Sequence, residues 1–340
     1  MLKEKWLIID SHIHYIPKKA VSKAGISGGF DYTAPLRGEM VTSYGRAQDI
    51  EGMIQIMEDS GVDLAVLNQT AWSPQGIEMC KIMNDSYAEV GQKYPGKFIL
   101  CGHVPLQQGQ DVINEIDRCI NALGIKGMAL VSSMPDVSLD SPQMWTVYEK
   151  INDLDVPIVV HPTVRVPIWG GGKKYGMCWS VAREYDIAKA TVEVMYGVLK
   201  DFPNLKFLMP HYGGGMPGQI GRLRAQYNPD NRNWGTAGEI KFSIKTPREL
   251  DEMGLSQAFD ELFDKLYFDM AGAGGGWIPA IKAAINTIRT DRICFGTDYP
   301  YDIHTPEDIR TFITNIKTLD IPEHDKRLIL GENIKRLFNI

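Results

Sequence analysis

Short, unbroken apolar runs alternate along this chain with longer stretches in which apolar residues recur every three or four positions. Eight runs stand out, at 6–10 (WLIID), 64–68, 98–103, 127–131, 157–161 (PIVVH), 206–210 (KFLMP), 266–269 and 293–296 (ICFG). They are short and rich in Val, Ile, Leu and Phe, which predicts strands buried on both faces, as in a parallel sheet. The stretches 49–60, 76–93, 110–123, 142–154, 187–200, 218–227, 278–289 and 306–318 predict helices. Several stop at breakers such as Ser60-Gly61, Tyr94-Pro95 and Phe202-Pro203. Eight strand-then-helix units predict an α/β fold, a (β/α)8 TIM-like barrel closed on itself rather than an open sheet.

Two connections are longer than the rest, residues 15–48 and 228–262, both rich in Gly, Pro, Asn and aromatic residues. Connections of that length often serve as lids. The first is expected to cap the C-terminal face of the barrel, and the second to cover the site or build a subunit contact. Residues 1–340 are otherwise expected to form one barrel domain.

Composition narrows the partners. The 340 residues are 44% hydrophobic and 23% charged, an ordinary globular balance. A chain of this length can bury roughly 75% of its unfolded surface. The formal charge of -6 and the lack of any long basic cluster predict no nucleic-acid and no membrane partner. Cys80, Cys101, Cys119, Cys178 and Cys294 are odd in number and form no CxxC pair, which predicts reduced thiols in a cytoplasmic protein. The apolar stretch at the N-terminus is too short for a signal peptide.

The chemistry collects where the strands end. His12 and His14 follow the first run, His161 closes the fifth, His211 follows the sixth and Asp298 follows the eighth. The C-terminal ends of barrel strands are where such folds carry their active sites. In an extended segment His12 and His14 point the same way, so both imidazoles can reach one ion. Neutral imidazole and carboxylate suit zinc-type divalent cations. Singly, each residue has an ordinary structural explanation: a packed histidine, or an aspartate forming a turn before Tyr-Pro. Together the five are far more specific. The aromatic residues Tyr15, Trp72, Trp169, Tyr175, Trp179 and Tyr299 also follow strands and suit a flat or conjugated ligand. His103, ending the third run, is a further candidate for substrate polar groups.

The segments DSHIH (10–14), VVHP (159–162), PHYGGGMPGQIGR (210–222), FGTDYPY (295–301) and GENIKRLF (331–338) resemble the amidohydrolase superfamily. The branch is the one that includes aminocarboxymuconate-semialdehyde decarboxylase and γ-resorcylate decarboxylase, and the resemblance spans essentially the whole chain. It implies His12, His14, His161 and Asp298 as ligands of one divalent ion, with His211 as the acid–base residue. Zinc is the first choice of metal and manganese its rival. Two-metal members carry a lysine after the fourth strand. Here that strand ends in Leu130-Val131-Ser132-Ser133, with Lys126 only at its start, so a single ion is expected.

The resemblance further implies a homodimer or higher homo-oligomer in which Arg222, eleven residues beyond His211, reaches the neighbouring subunit's substrate. A second carboxylate-binding arginine of the semialdehyde decarboxylase falls on Met53, and neither Arg46 nor Arg165 aligns with it. The γ-resorcylate enzymes usually show Glu-x-His where this chain has His12-Ile13-His14. These departures bear on the substrate more than on the metal.

The leading reading is thus a metal-dependent decarboxylase of an aromatic or unsaturated carboxylic acid, with Arg222, Trp72, His103 and Tyr299 contacting the substrate. A divalent ion polarises bound oxygens, and a histidine near neutrality moves protons in either direction. The same apparatus would serve a hydrolase of a lactone, amide or similar bond. A silent barrel used as a binding protein is the third reading, and the complete ligand set argues against it.

Overall fold

The computed structural model describes residues 5–24, 33–36, 39–163, 175–227, 259–272 and 276–340. Its main sheet has eight strands in chain order: β1 (Ile9–His14), β2 (Leu64–Asn68), β3 (Phe98–His103), β4 (Gly127–Val131), β5 (Ile158–His161), β6 (Phe207–Met209), β7 (Tyr267–Asp269) and β8 (Ile293–Cys294). Every neighbouring pair is parallel. The chain leaving β8 returns to β1 through Ser11 N to Phe295 O at 2.8 Å, Asp298 N to His12 O at 2.9 Å and His14 N to Tyr299 O at 2.8 Å. These bonds close the TIM-type barrel.

The sequence predicts a first strand that stops at Asp10. The observed strand runs on through His14. Asp10, Ser11, His12 and His14 are all buried, so β1 is sustained by hydrogen bonds on both of its edges and not by apolar content.

The lumen explains the strand patterns. One or two residues from each strand (Ile9, Val66, Ile99, Cys101, Ala129, Val159, Leu208, Tyr267 and Cys294) form a separate apolar cluster with Ile334, Leu337 and Phe338. The terminal helix Asn333–Leu337 therefore plugs the floor of the barrel. Alternate residues of a strand share a face. Two positions on from the floor come Asn68, His103, Val131, His161 and Asp269, and four on from Cys294 comes Asp298. Simple alternation from Ile9 would put Ile13 in the lumen and turn His12 and His14 outward. Instead the register of β1 against β2 slips between Asp10 and Ile13. Such a bulge shifts the facing of later residues, so Ile13 packs in the outer core with Ile8 and both histidines enter the lumen.

Among the described residues, helices that wrap this sheet include α1 (Ile50–Ser60), α2 (Ile77–Lys93), α3 (Gln110–Asn121), α4 (Trp145–Asp153), α5 (Gly176–Glu193), α6 (Ile220–Tyr227), α7 (Ile278–Ile285) and α8 (Pro306–Lys317). Asp49 caps α1 by accepting from Gly52 N at 2.9 Å, and Gly61 ends it in a left-handed conformation. Helix α5 starts at Gly176, well before the predicted 187. Its first half inverts the usual polarity. Met177, Val181 and Tyr185 are exposed at four-residue spacing, while Asp186 is buried. An inner face built for a polar site hides the helical signal.

In the first long connection the described residues form a helix, Lys18–Ala24, an antiparallel ribbon pairing Thr33–Leu36 with Glu39–Thr42, and a short helix, Ser43–Ala47. Most of the second, residues 228–258, lies outside the described residues, as do Arg165 and Trp169. Cys80, Cys101, Cys119 and Cys294 are buried and, with Cys178, unbridged. Among the described residues no helix is long and apolar enough to cross a membrane.

Candidate metal centre

The rings of His12, His14 and His161 meet in the lumen, with one nitrogen of each lying within 4.8 Å of the others. The network assigns their tautomers. His12 Nδ1 donates to Asp269 Oδ2 at 2.7 Å, His14 Nδ1 to the Asn68 carbonyl at 3.0 Å, and His161 Nδ1 to the Pro162 carbonyl at 3.0 Å. Each ring is then left with an unprotonated Nε2 turned inward. The Nε2 atoms of His12 and His14 stand 3.1 Å apart. Two lone pairs at that separation repel each other unless a cation or a proton lies between them. Asp298 Oδ1 adds a carboxylate 2.8 Å from His14 Nε2 and 3.7 Å from His12 Nε2. Three imidazoles held by outer partners, with a carboxylate beside them, fit one divalent ion.

The electrostatics agree with that fit. Burial and then the neighbouring His14 and His12 hold His161 well below the usual histidine range. Burial likewise lowers His14, although Asp298 opposes it. Burial also opposes the charge of His12, but the Asp269 carboxylate outweighs it and the net direction is up. Asp298 is lowered: burial would raise it, and the His14 hydrogen bond with the charges of His12, His14 and His211 prevails. His14 and His161 are thus held neutral, with a lone pair free for a cation, and Asp298 is held negative beside them.

His211 is presented by an unusual backbone. His211, Tyr212, Gly213, Gly214 and Gly215 all have φ between 53° and 75°, a short left-handed turn. L-residues adopt this at a cost of roughly 1–2 kcal/mol each, and glycine avoids the cost. Gly214 is also forced by space, since a Cβ there would run into the Glu184 carbonyl and the Ala188 amide of α5. Asp269 Oδ1 accepts the His211 amide at 2.9 Å, so one carboxylate orients both His12 and the turn. His211 Nδ1 donates to Glu184 Oε1 at 2.7 Å. Its buried Nε2 has no hydrogen-bond partner among the described residues and lies 3.9 Å from Asp298 Oδ2. Burial would lower its pKa, but Glu184, Asp298 and Asp269 raise it to about 9. Those carboxylates favour the charged imidazolium, beside the candidate metal ligands.

The structure places the other candidates variously. Trp72 is buried in the turn Thr70–Gln75 after β2. His103 is buried with both ring nitrogens near protein atoms: Nε2 accepts from Gln69 N at 2.9 Å and Nδ1 stands 3.3 Å from Asn84 Oδ1. Burial takes its pKa down to about 3. Tyr299 is buried, and burial pushes its phenol up to about 12. Among the described residues, an aromatic ring beside the cluster is that of Tyr301, 5.2 Å from His14. Arg222 sits on the exposed side of α6. Of the arginines weighed for the missing position, Arg46 is buried, and Met53 belongs to the core.

Five residues escaped the sequence reading. Asp269 ends a predicted strand in a carboxylate, as the fifth ends in His161, and that was a usable signal. Glu184 and Arg183 lie on the half of α5 that the pattern does not predict. Asn68 is fully buried at the lumen end of β2, and neither its Nδ2 nor its Oδ1 has a partner among the described residues. Asp302 has an unpartnered buried Oδ2, and burial with the Asp298 charge raises it to about 7.

The chain belongs to the amidohydrolase family, whose model, described as "Amidohydrolase", matches residues 9–340. It is 26% identical over 321 residues to 2-amino-3-carboxymuconate-6-semialdehyde decarboxylase of Dictyostelium discoideum, covering 87% of this chain and 82% of that one. It is 26% identical over 345 residues to γ-resorcylate decarboxylase of Rhizobium sp. (strain MTP-10005), covering 96% and 95%. Among solved structures it is similar to a 5-carboxyvanillate decarboxylase of Novosphingobium aromaticivorans bound to manganese and 3-methoxy-4-hydroxy-5-nitrobenzoic acid. There the TM-score is 0.76 at 19% identity, over 99% of this chain and 98% of that one.

Proposed function

We propose that this protein is a metal-dependent decarboxylase of an aromatic or unsaturated carboxylic acid. The observation that carries the reading is His211, held at Nδ1 by Glu184 with its unpartnered Nε2 beside the His12, His14, His161 and Asp298 cluster. Those four would hold one divalent ion, which when bound supplies Lewis-acid polarisation of a substrate oxygen. Zinc is proposed first, from the imidazole-rich set; the manganese in the N. aromaticivorans enzyme makes that metal the rival.

His211 does the chain's own chemistry. Replacing CO2 on carbon requires a proton at that carbon, and Nε2–H of His211 is the acid in place to give it. Glu184 fixes the ring through Nδ1 and favours its charged form. Asp269 holds His12 and the His211 amide in one frame. The closed lumen below the site excludes water from that side. Named relatives from two different organisms are decarboxylases, which supports the decarboxylase reading.

The assembly is proposed to be a homodimer in which Arg222 grips a substrate carboxylate across the interface, a geometry guanidinium suits. Its exposure on α6 is compatible with that role. The buried free thiols support a reducing, cytoplasmic setting. The enzyme reading is tested by supplying the protein with Zn2+ or Mn2+ and screening aromatic and unsaturated acids for CO2 release alongside lactones and amides for hydrolysis. Metal-dependent CO2 release is expected; turnover confined to lactones or amides would establish the hydrolase instead. The dimer is tested by mixing Arg222→Ala and His211→Ala proteins under subunit exchange. Activity should return, because one hybrid site holds both native residues; exchange without recovery removes Arg222 from the shared site.

A further inference from the structure

Among the described residues of α5, Asp186 is the first along the helix that is buried. Before it, Met177, Val181 and Tyr185 face solvent. Glu184 keeps 40% of its side chain exposed. Neither its own burial nor the outer face of the helix therefore fixes where its carboxylate lies. Yet that carboxylate meets His211 Nδ1 at 2.7 Å, and a hydrogen bond weakens steeply once its geometry is disturbed. Something else must hold this turn of α5 in place.

Asp186 supplies the anchor. Its Oδ1 accepts from Ser133 Oγ at 2.9 Å, and its Oδ2 accepts from Ser132 Oγ. Both serines follow directly on β4. Ser132 is tied in turn to the chain around His161. Its Oγ accepts the Thr163 amide at 2.8 Å, and its own amide donates to the His161 carbonyl at 2.8 Å. One buried carboxylate thus joins α5 to the ends of two strands, and one of those strands ends in a candidate metal ligand. On its other side the same stretch of α5 meets the His211 turn. A Cβ on Gly214 would lie 2.2 Å from the Glu184 carbonyl oxygen and 2.4 Å from the Ala188 nitrogen. Thr191 Oγ1 stands 3.4 Å from the Gly213 carbonyl. Helix α5 is therefore a strut between the His161 strand end and the His211 turn. A carboxylate that accepts two hydroxyls at once fixes both the height and the rotation of the helix that bears it.

We infer that Asp186 is a positioning residue: by fastening α5 to Ser132 and Ser133, it sets the contact between Glu184 and His211. It acts through Glu184 and not on the substrate. The inference rests on the proposed role of His211 as the acid. It adds that the orientation of this acid is shared with the strand ends around His161, so that the metal cluster and the acid keep one frame.

The readout is the His211 Nδ1 proton, followed by proton NMR in the full chain supplied with Zn2+. A proton held against a carboxylate at 2.7 Å resonates far downfield and exchanges slowly with water. Its absence from His211→Ala protein assigns it. Melting temperature and metal content certify that the variants are folded and loaded alike. Asp186→Ala should lose this resonance or exchange it at least about tenfold faster than the wild type. Ser133→Ala removes one of the two bonds and should speed exchange about threefold. Asp186→Asn keeps an acceptor and gains a donor that the serine hydroxyls can turn to meet, and should stay within about twofold of the wild type. Val181→Ser, on the outer face of the same helix, is the control and should change nothing. A native resonance in folded Asp186→Ala protein would overturn the inference, however much stability is lost. If that variant does not fold, a native resonance in Ser133→Ala protein does so. An equal effect of Val181→Ser would also overturn it, because any disturbance of α5 would then reach His211. So would the lack of such a resonance in the wild type. The two readings fail separately, since the resonance needs no turnover. The expected pattern without CO2 release from any acid keeps Asp186 in its role and removes the decarboxylase. CO2 release with a native resonance in Asp186→Ala protein does the reverse.

Discussion

The lower and upper halves of the barrel lumen are built by the same strands two residues apart, yet they obey different rules. At the floor, Val66, Ala129, Val159 and Leu208 meet the plug helix and need only fit. At the mouth, the Asn68 backbone carbonyl and the His161 ring, from two of those strands, form directed hydrogen bonds. Apolar packing tolerates exchange among residues of similar volume. A cluster of buried imidazoles does not, because each ring needs an outer acceptor to fix its tautomer. The floor therefore holds the fold, and the mouth holds the chemistry at some cost in stability.

That contrast is broken most severely at His211. Its replacement by Ala should lower kcat by about 10²- to 10⁴-fold, the usual weight of a general acid. Metal content should stay near the wild-type value by elemental analysis. Metal lost in parallel with activity would make His211 a ligand and dissolve the division of roles at the mouth.

The floor should respond in the opposite sense. Leu208→Ala should destabilise the protein by about 2–5 kcal/mol in denaturant melts, the range for buried leucines. The folded fraction should bind metal and turn over as before. A loss of metal affinity on the same scale would show that floor and mouth are one cooperative unit.

The smallest effect concerns Glu184. His211 is raised from 6.5 to about 9 in the folded chain, after burial is outweighed by Glu184, Asp298 and Asp269. A raised histidine contributes stability that is fully present below its unfolded pKa and is lost as pH rises through the folded value. Metal-free protein should therefore lose stability between about pH 6.5 and 9, and Glu184→Gln should flatten that slope. The same variant should move the alkaline limb of kcat to lower pH while KM changes little. An unchanged limb would remove Glu184 from the positioning of His211.

The sequence exposes these two halves unequally. Strands β2, β3 and β4 fall where continuous apolar runs predict them, because both faces of those strands are buried. His12 and His14 are legible as a pair on one face. That this face is the lumen depends on a register slip between Asp10 and Ile13, which no composition reveals. Glu184 and Arg183 were hidden because α5 turns polar residues inward and Met177, Val181 and Tyr185 outward. The role of Gly214 needs its neighbours, since only the approach of α5 shows why a side chain is forbidden there.

The central claim is that His12, His14, His161 and Asp298 form one metal site, and metal content is its most direct measure. Wild-type protein and the His12→Ala/His14→Ala double variant would be loaded with Zn2+ or Mn2+, desalted and analysed for metal per folded chain. The account predicts one ion for the wild type and essentially none for the double variant, with both proteins folded by circular dichroism. Equal metal in the two proteins would contradict it.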